Sequence, residues 1–243
     1  MELVDRIILV TGAGRRVGRA IALRLASAGA TIAVHCRTST GAAAETAGRC
    51  RAAGARADVF SADLADPAGA VQLVQSVQAR FGRLDVLVNN AAIFEPMTLD
   101  EFRLDDWERT LRINLTAPLL LAHAARDALR AAHGRIVNLC DAATPRAAPD
   151  HLAYVVSKGA LETLTRVLAR ALAPDVNVVG VAPGVAAWPE NYDQEMRDRL
   201  TRRIPLRRAG SPEDIAAAVH FLLREGDYIT GTILPVDGGR SLA

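Results

Sequence analysis

Cysteine is scarce in this chain. Its three residues, Cys36, Cys50 and Cys140, are odd in number, and none stands in a CxxC pair. That excludes a disulfide framework or a zinc site read from spacing, leaves no metal site to expect, and fits a reducing cytoplasm. Long apolar runs are missing too: none reaches the roughly 18 residues that a transmembrane helix needs. The opening segment, Met1 to Arg6, runs directly into an apolar stretch. It lacks the basic start, the long apolar core and the small-residue cleavage site of a secretory signal. Neither sign of charge dominates. Lys and Arg number 29 against 27 Asp and Glu, a net charge of +2, which gives no reason to expect a nucleic acid or an anionic membrane as partner. Lysine itself is almost absent: Lys158 is the only one, and the other 28 of the 29 Lys and Arg residues are arginine.

What is present is globular. Half of the 243 residues are hydrophobic, enough to bury one α/β domain over residues 1–243, and the length is short for two. Apolar, β-branched runs alternate with helical patterns. Strands are predicted at Ile7–Thr11, Thr31–Cys36, Ala57–Ser61, Leu84–Asn89, Arg135–Leu139, Val176–Ala182 and Thr232–Val236. Val17, Ile21 and Leu25 share one helical face, with Gly29 suited to the stop behind it. Asp66-Pro67 reads as an N-cap with proline in the first turn, and Ser211-Pro212-Glu213-Asp214 as a capped helix start. Long helices are predicted over Leu104–Ala131 and His151–Ala173, and a flap from Pro183 to about Glu195. Strict alternation with near-continuously apolar strands predicts a Rossmann-type doubly wound parallel sheet of about seven strands, with helices on both faces.

Thr11-Gly12-Ala13-Gly14-Arg15-Arg16-Val17-Gly18 follows the first strand and opens the first helix. Glycines there let the backbone approach a pyrophosphate, and the helix start offers free N–H groups and partial positive charge. The end of the second strand distinguishes the nucleotide. Where an NAD enzyme carries an acidic residue for the ribose 2′-hydroxyl, this chain reads His35-Cys36-Arg37-Thr38-Ser39. Arg37 suits a 2′-phosphate, Thr38 and Ser39 can donate to it, and Arg15 adds a second cation, so NADPH is expected over NADH. Asp63-Leu64 ends the third strand, where the carboxylate either accepts from the adenine amino group or shapes a turn. Asn89-Asn90-Ala91 ends the fourth, at the edge where open α/β sheets bind ligands.

Tyr154-Val155-Val156-Ser157-Lys158 is the strongest signal. A spacing of four places phenol and ammonium on one helical face. A phenol near pKa 10 is a poor acid at neutral pH. An ammonium beside it is expected to lower that pKa and also to hold the nicotinamide ribose, so that proton transfer sits next to hydride transfer.

Together these residues resemble the short-chain dehydrogenase/reductase family over essentially the whole chain: TGxxxxxG after the first strand, NNA after the fourth, Asn114 in the following helix, YxxxK, and Pro183-Gly184 after the sixth strand. The resemblance implies cofactor contacts from the glycine turn (Gly12, Gly14, Arg15, Arg16, Val17), from Asn89 and Ala91, and from Pro183 and Gly184. It implies that Asn114 holds a water linking Lys158 to solvent, although a buried helical asparagine satisfied by backbone is an equally simple reading. It further implies a homotetramer, assembled through the two long helices and the C-terminal segment.

One departure narrows the resemblance. Thirteen residues before the tyrosine, where the family carries serine, stands Asp141. An aspartate there resembles the pteridine reductase branch. So do Arg16, where most relatives have glycine, Phe94, Trp188-Pro189-Glu190, and the ending Leu234 to Leu242. That resemblance implies Phe94 and Trp188 against a flat pterin ring, Arg16 reaching both pyrophosphate and pterin, and Asp141 sharing a proton with Tyr154. Reducing a pterin C=N bond needs a proton at a ring nitrogen, which a carboxyl–phenol pair can supply better than a serine. Two other readings are weighed against an NADPH-dependent reductase of a dihydropterin or dihydrofolate. One is a ketone or 3-oxoacyl thioester reductase, against which a carboxylate near a developing oxyanion argues. The other is a non-catalytic NADP(H) sensor or structural subunit, against which the intact tyrosine–lysine pair argues.

Overall fold

The computed structural model describes residues 1–144, 148–188 and 193–242. Its centre is one seven-stranded sheet in the order β3-β2-β1-β4-β5-β6-β7, with every pairing parallel. The strands are β1 (Ile7–Val10), β2 (Thr31–Cys36), β3 (Ala57–Ser61), β4 (Val86–Asn89), β5 (Arg135–Leu139), β6 (Asn177–Pro183) and β7 (Ile233–Val236). Each predicted strand is present, and the ends differ by two residues at most. The sequence order reverses between β1 and β4, which opens a crevice at their carboxyl ends.

Alternation along β1 shows why the sheet is covered on both sides. Ile8 and Val10 face a core shared with Ile21, Leu25, Val219 and Leu222. Ile7 and Leu9 face the opposite core, with Leu73, Val77, Leu121 and Leu129. Each fully buried aliphatic side chain contributes about 1.5–3 kcal/mol relative to exposure. The first core is covered by α1 (Arg16–Ala26), α2 (Thr40–Ala52) and α8 (Pro212–Arg224), the second by α3 (Pro67–Phe81), α5 (Ala117–Ala131) and α6 (Leu152–Leu172). The predicted caps form: Asp66 accepts from the Ala68 N–H, and Ser211 and Asp214 make a reciprocal capping box.

Three features depart from the sequence reading. The predicted helix over 104–131 is interrupted. It comprises α4 (Leu104–Leu111), a π-helical turn over Arg112–Thr116, and α5. Pro118 supplies the reason: it has no N–H to donate to the Asn114 carbonyl, so the regular ladder cannot continue through that turn. The second feature is α2, which no periodicity announced, because its buried face is Ala43, Thr46, Ala47 and Cys50, without one large apolar side chain. The third is α7 (Gln194–Thr201), which buries none of its residues and begins where the stretch read as a flap ends.

At the edge of the sheet away from the crevice, Asp85 is fully buried. It accepts from the Arg6 guanidinium at 2.8 Å, the Ile7 N–H at 2.8 Å, and Arg83. Removing a buried carboxylate strands these donors. Asp85→Ala should lower unfolding stability by about 2–4 kcal/mol, read by urea titration, while leaving the KM of the folded enzyme unchanged.

Candidate active site

The cleft at the β1/β4 reversal has a volume of about 530 Å³ and runs from the glycine turn to Tyr154 and Lys158. Its floor is the turn between β1 and α1. Gly12 takes φ +64°, a region that disfavours side chains. A Cβ on Gly18 would lie 2.3 Å from the Gly12 carbonyl oxygen, so only glycine lets α1 start so close under the turn. Thr11, buried at the end of β1, accepts from the N–H groups of Asn90 and Ala91 through its hydroxyl. The Asn90 amide donates to the carbonyls of Thr11 and Gly12 at 2.7 and 3.2 Å. Opposite, Arg19 donates to the Gly14 carbonyl at 3.1 Å and pairs with Glu45 on α2.

Arg16 also has a positive φ, +49°. This is the position where the family resemblance implies glycine, and the strained backbone explains why glycine is common there. Arg15, Arg37, Thr38 and Ser39 are exposed around the adenosine end of the cleft. Neither Arg15 nor Arg37 has a carboxylate partner among the described residues, unlike Arg19 or Arg80. Two uncompensated guanidiniums at the rim, over a turn that only glycine can make, fit a phosphorylated dinucleotide. Asp63 and Leu64 line the same end. Of the two roles open to Asp63, the turn role is formed, since its carboxylate accepts from the Ala65 N–H at 2.9 Å.

At the other end the phenol of Tyr154 donates to the Asp141 carboxylate at 2.6 Å, and the second Asp141 oxygen accepts from the Ala143 N–H at 2.7 Å. The Lys158 ammonium is buried and donates to the Leu139 carbonyl at 2.6 Å, 5.8 Å from the centroid of the Tyr154 ring. The expectation that lysine lowers the phenol pKa is not met. Burial raises the phenol well above its ordinary value, and the nearby Asp141 charge raises it further. Burial lowers Lys158, while Asp141 favours its charged form. Tyr154 is thus held as an acid, its proton shared with a carboxylate. The neighbouring Cys140 is no competitor as a nucleophile, because burial pushes its thiol up to about 12.

Asn114 sits in the π-helical turn with its carboxamide occupied. It donates to the Ile93 carbonyl and to the Ser157 hydroxyl, and accepts from the Ile93 N–H. Ser157 in turn donates to the Tyr154 carbonyl. Of its two possible roles, bracing the catalytic helix is the one formed here. Asn89 does not reach the cleft as a side chain. It is buried in the sheet and donates to Asn138, which donates to Thr165. The residue beside it, Asn90, lines the cleft instead. Gly14, Val17, Ala91, Pro183 and Gly184 also line it.

Phe94 stands at the mouth, 52% exposed. Its ring stacks on His151 at 4.1 Å and meets Tyr154 edge-on at 4.6 Å. Trp188 is half-buried just beyond Ala187 of the cleft wall. The Pro189-Glu190 part of that motif lies outside the described residues. His35, which the sequence reading quoted but gave no role, is buried behind the glycine turn and bonded to it. A polar side chain in an otherwise apolar strand, Thr31–Cys36, was the available signal. No group of His, Cys, Asp and Glu among the described residues could hold a metal ion, and no described helix is long and apolar enough to cross a membrane.

A family model described as enoyl-(acyl carrier protein) reductase matches residues 12–241. A 3-oxoacyl-[acyl-carrier-protein] reductase of Synechocystis sp. is 35% identical, spanning 98% of this chain and 97% of the relative. A blue fluorescent protein from a metagenomic library, solved in complex with NADPH, superposes with a TM-score of 0.92 at 37% identity, covering 99% of both chains. The FolM alternative dihydrofolate reductase 1 of Brucella canis, solved with NADP, superposes with a TM-score of 0.93 at 35% identity, covering 100% of this chain and 96% of that one. A family match over nearly the full length, relatives above 30% identity and a tyrosine–lysine pair at the mouth of a glycine-floored cleft agree, and the chain belongs to the short-chain dehydrogenase/reductase family of oxidoreductases.

Proposed function

We propose that this protein is an NADPH-dependent reductase of a pteridine of the dihydrofolate, dihydrobiopterin or dihydromonapterin type. The observation that carries the reading is the 2.6 Å hydrogen bond from Tyr154 to Asp141. A serine in that place offers a neutral donor to a carbonyl oxygen. A carboxylate repels a developing oxyanion but accepts from ring N–H groups and, as here, from the phenol hydroxyl. A pterin, which needs a proton on nitrogen and carries N–H donors, suits that pair. The FolM relative from Brucella canis, a dihydrofolate reductase by name, supports the same substrate class.

NADPH, when bound, supplies the hydride. Arg15 and Arg37, with Thr38 and Ser39, hold its 2′-phosphate. Gly12, Gly14, Arg16 and Val17 receive the pyrophosphate at the start of α1, and Ala91, Pro183 and Gly184 flank the nicotinamide end. Lys158 holds the ribose and adds positive charge beside the phenol. Tyr154 delivers the proton at its hydroxyl, and Asp141, once it has taken up a proton from solvent, passes that proton to the phenolate to restore the phenol. The exposed Phe94 ring, adjoining the phenol, and Trp188 clamp the substrate ring, and Arg16 reaches its carbonyl. The enzyme works as a cytoplasmic homotetramer, for which the exposed Leu119 on α5, Val156 and Val167 on α6, and Leu242 at the C-terminus offer apolar contact.

A second reading, reduction of a ketone or 3-oxoacyl thioester, is favoured by the Synechocystis relative and opposed by Asp141. Steady-state NADPH oxidation separates the two. Turnover is expected with at least one dihydropterin; none with any of them, beside good turnover of a ketone, ends the pteridine reading. Asp141→Ser should lower kcat for the dihydropterin about 100-fold, and Tyr154→Phe by 100-fold or more, on the order of a lost general acid. The same Asp141→Ser should improve ketone reduction. Arg37→Asp should weaken NADPH about 10- to 100-fold, the worth of a charge-assisted bond, while NADH is hardly affected; equal loss for both nucleotides refutes the 2′-phosphate role. Arg16→Gly should leave the melting temperature within a few degrees, relief of the positive φ offsetting the added chain entropy, yet raise the KM for the dihydropterin.

A further inference from the structure

His35 lies on β2 with 2% of its surface exposed, and none of the roles assigned above uses it. Its imidazole bridges two segments that line the nucleotide cleft. Nδ1 accepts from the Gly12 N–H at 3.1 Å, and Nε2 lies 3.1 Å from the Ala62 carbonyl oxygen. The hydrogen-bond pattern fixes the tautomer: Nδ1 accepts and carries no proton, so Nε2 carries it and donates. The His35 carbonyl also accepts from the Ala13 N–H at 2.9 Å. One residue therefore grips two consecutive amides of the glycine turn, and ties that turn to the Ala62-Asp63-Leu64 segment. Both segments line the cleft.

We propose that His35 is a positioning residue for the nucleotide, fixing the Gly12 turn and the Ala62–Leu64 segment in one geometry for as long as its ring is neutral. This rests on the reading of the cleft as an NADP(H) site, and is independent of which substrate is reduced.

The electrostatics agree. Burial lowers the imidazole from its ordinary 6.5, against the Ala62 carbonyl and the Asp63 charge, which favour the proton. Among groups on neighbouring elements, Arg15 and Arg16 on the turn and Arg37 beyond β2 are charged side chains that line the same cleft. A proton on Nδ1 would set two donors face to face at Gly12. The turn would have to move, at a residue already committed to φ +64°.

The sign follows from linkage. A histidine with a lowered folded-state pKa contributes stability that is complete above 6.5 and is lost as pH falls below it, toward the folded-state value. Nucleotide affinity follows the ring in the folded protein, so it should weaken lower in that window, as pH approaches the folded-state value.

The test is calorimetric titration of NADP⁺ into the full-length protein between pH 5.5 and 8, for the wild type, His35→Asn and His35→Phe. The asparagine amide can accept from Gly12 and does not titrate. Because the 2′-phosphate of the ligand titrates in all three proteins, the informative quantity is the wild type relative to His35→Asn. At pH 7.5 His35→Asn should bind within about threefold of wild type and His35→Phe about tenfold more weakly, the scale of one lost hydrogen bond. Below pH 6.5 the wild type should lose melting temperature relative to His35→Asn, and at the acid end of the range it should lose affinity as well. In the ligand-free protein, nitrogen NMR should find Nδ1 unprotonated at neutral pH. Parallel affinity profiles for wild type and His35→Asn overturn the proposal. So does a wild-type affinity that rises on acidification relative to His35→Asn, the result if an imidazolium merely attracts phosphate. A wild type that binds no NADP⁺ at any pH instead refutes the cofactor reading on which the proposal stands.

Discussion

A phenol and a carboxylate sharing one proton, beside a buried ammonium, is the constraint around which this site is built. Such a cluster is tolerable only because every member is held. Asp141 leans on the Ala143 amide, Lys158 on the Leu139 carbonyl, and Tyr154 on a helix braced through Ser157 by Asn114. Each brace begins in an element of the fold. Leu139 ends β5, Tyr154 to Lys158 is one turn of α6, and Asn114 occupies a π-helical turn that Pro118 forces on the preceding helix. Without that irregular turn, Asn114 would lie on a regular helix face, and the reciprocal bonds to Ile93 would have no reason to form there.

The nucleotide end is organised on a different principle. There the side chains that hold structure are turned inward: Thr11, Asn90, His35 and Arg19 all bond to the backbone of the glycine turn or its neighbours. The side chains that face the cleft, Arg15 and Arg37, make no carboxylate contact among the described residues. The division keeps positive charge available at the rim while the floor stays rigid, which is what recognition of a polyanion requires.

Sequence reasoning reached the architecture because large apolar residues mark the strands and most helices. It missed α2, where alanine, threonine and cysteine fill the buried face, and α7, which buries nothing. It reached the tyrosine–lysine pair because helical spacing alone places two side chains together. It did not reach the direction of the phenol's pKa shift. That depends first on the burial of the phenol and then on the charge of Asp141, thirteen residues away in sequence, and both are set by the sheet and not by helical spacing. The two asparagines after β4 show the same limit. Strand alternation sends Asn89 into the core and leaves Asn90 at the cleft, and a shift of one residue in the end of the strand exchanges their roles. His35 stood out as a polar side chain in an apolar strand, but its partners are backbone atoms, which the sequence does not name.

The exchange of serine for Asp141 also bears on how the two ends of the cleft depend on each other. With serine in that place, no carboxylate charge stands beside the phenol to oppose the effect of the ammonium. Here burial and then the carboxylate raise the phenol, and the ammonium beside it, itself lowered by burial, is a cation that can offset the carboxylate. A ribose lying against Lys158 and a substrate ring against Asp141 would both enter this balance. In the proposed reading, therefore, acid strength at Tyr154 is not a property of the empty site. It is set when nucleotide and pterin are both in place, with the N–H groups of the ring taking hydrogen bonds that the carboxylate otherwise offers to the phenol.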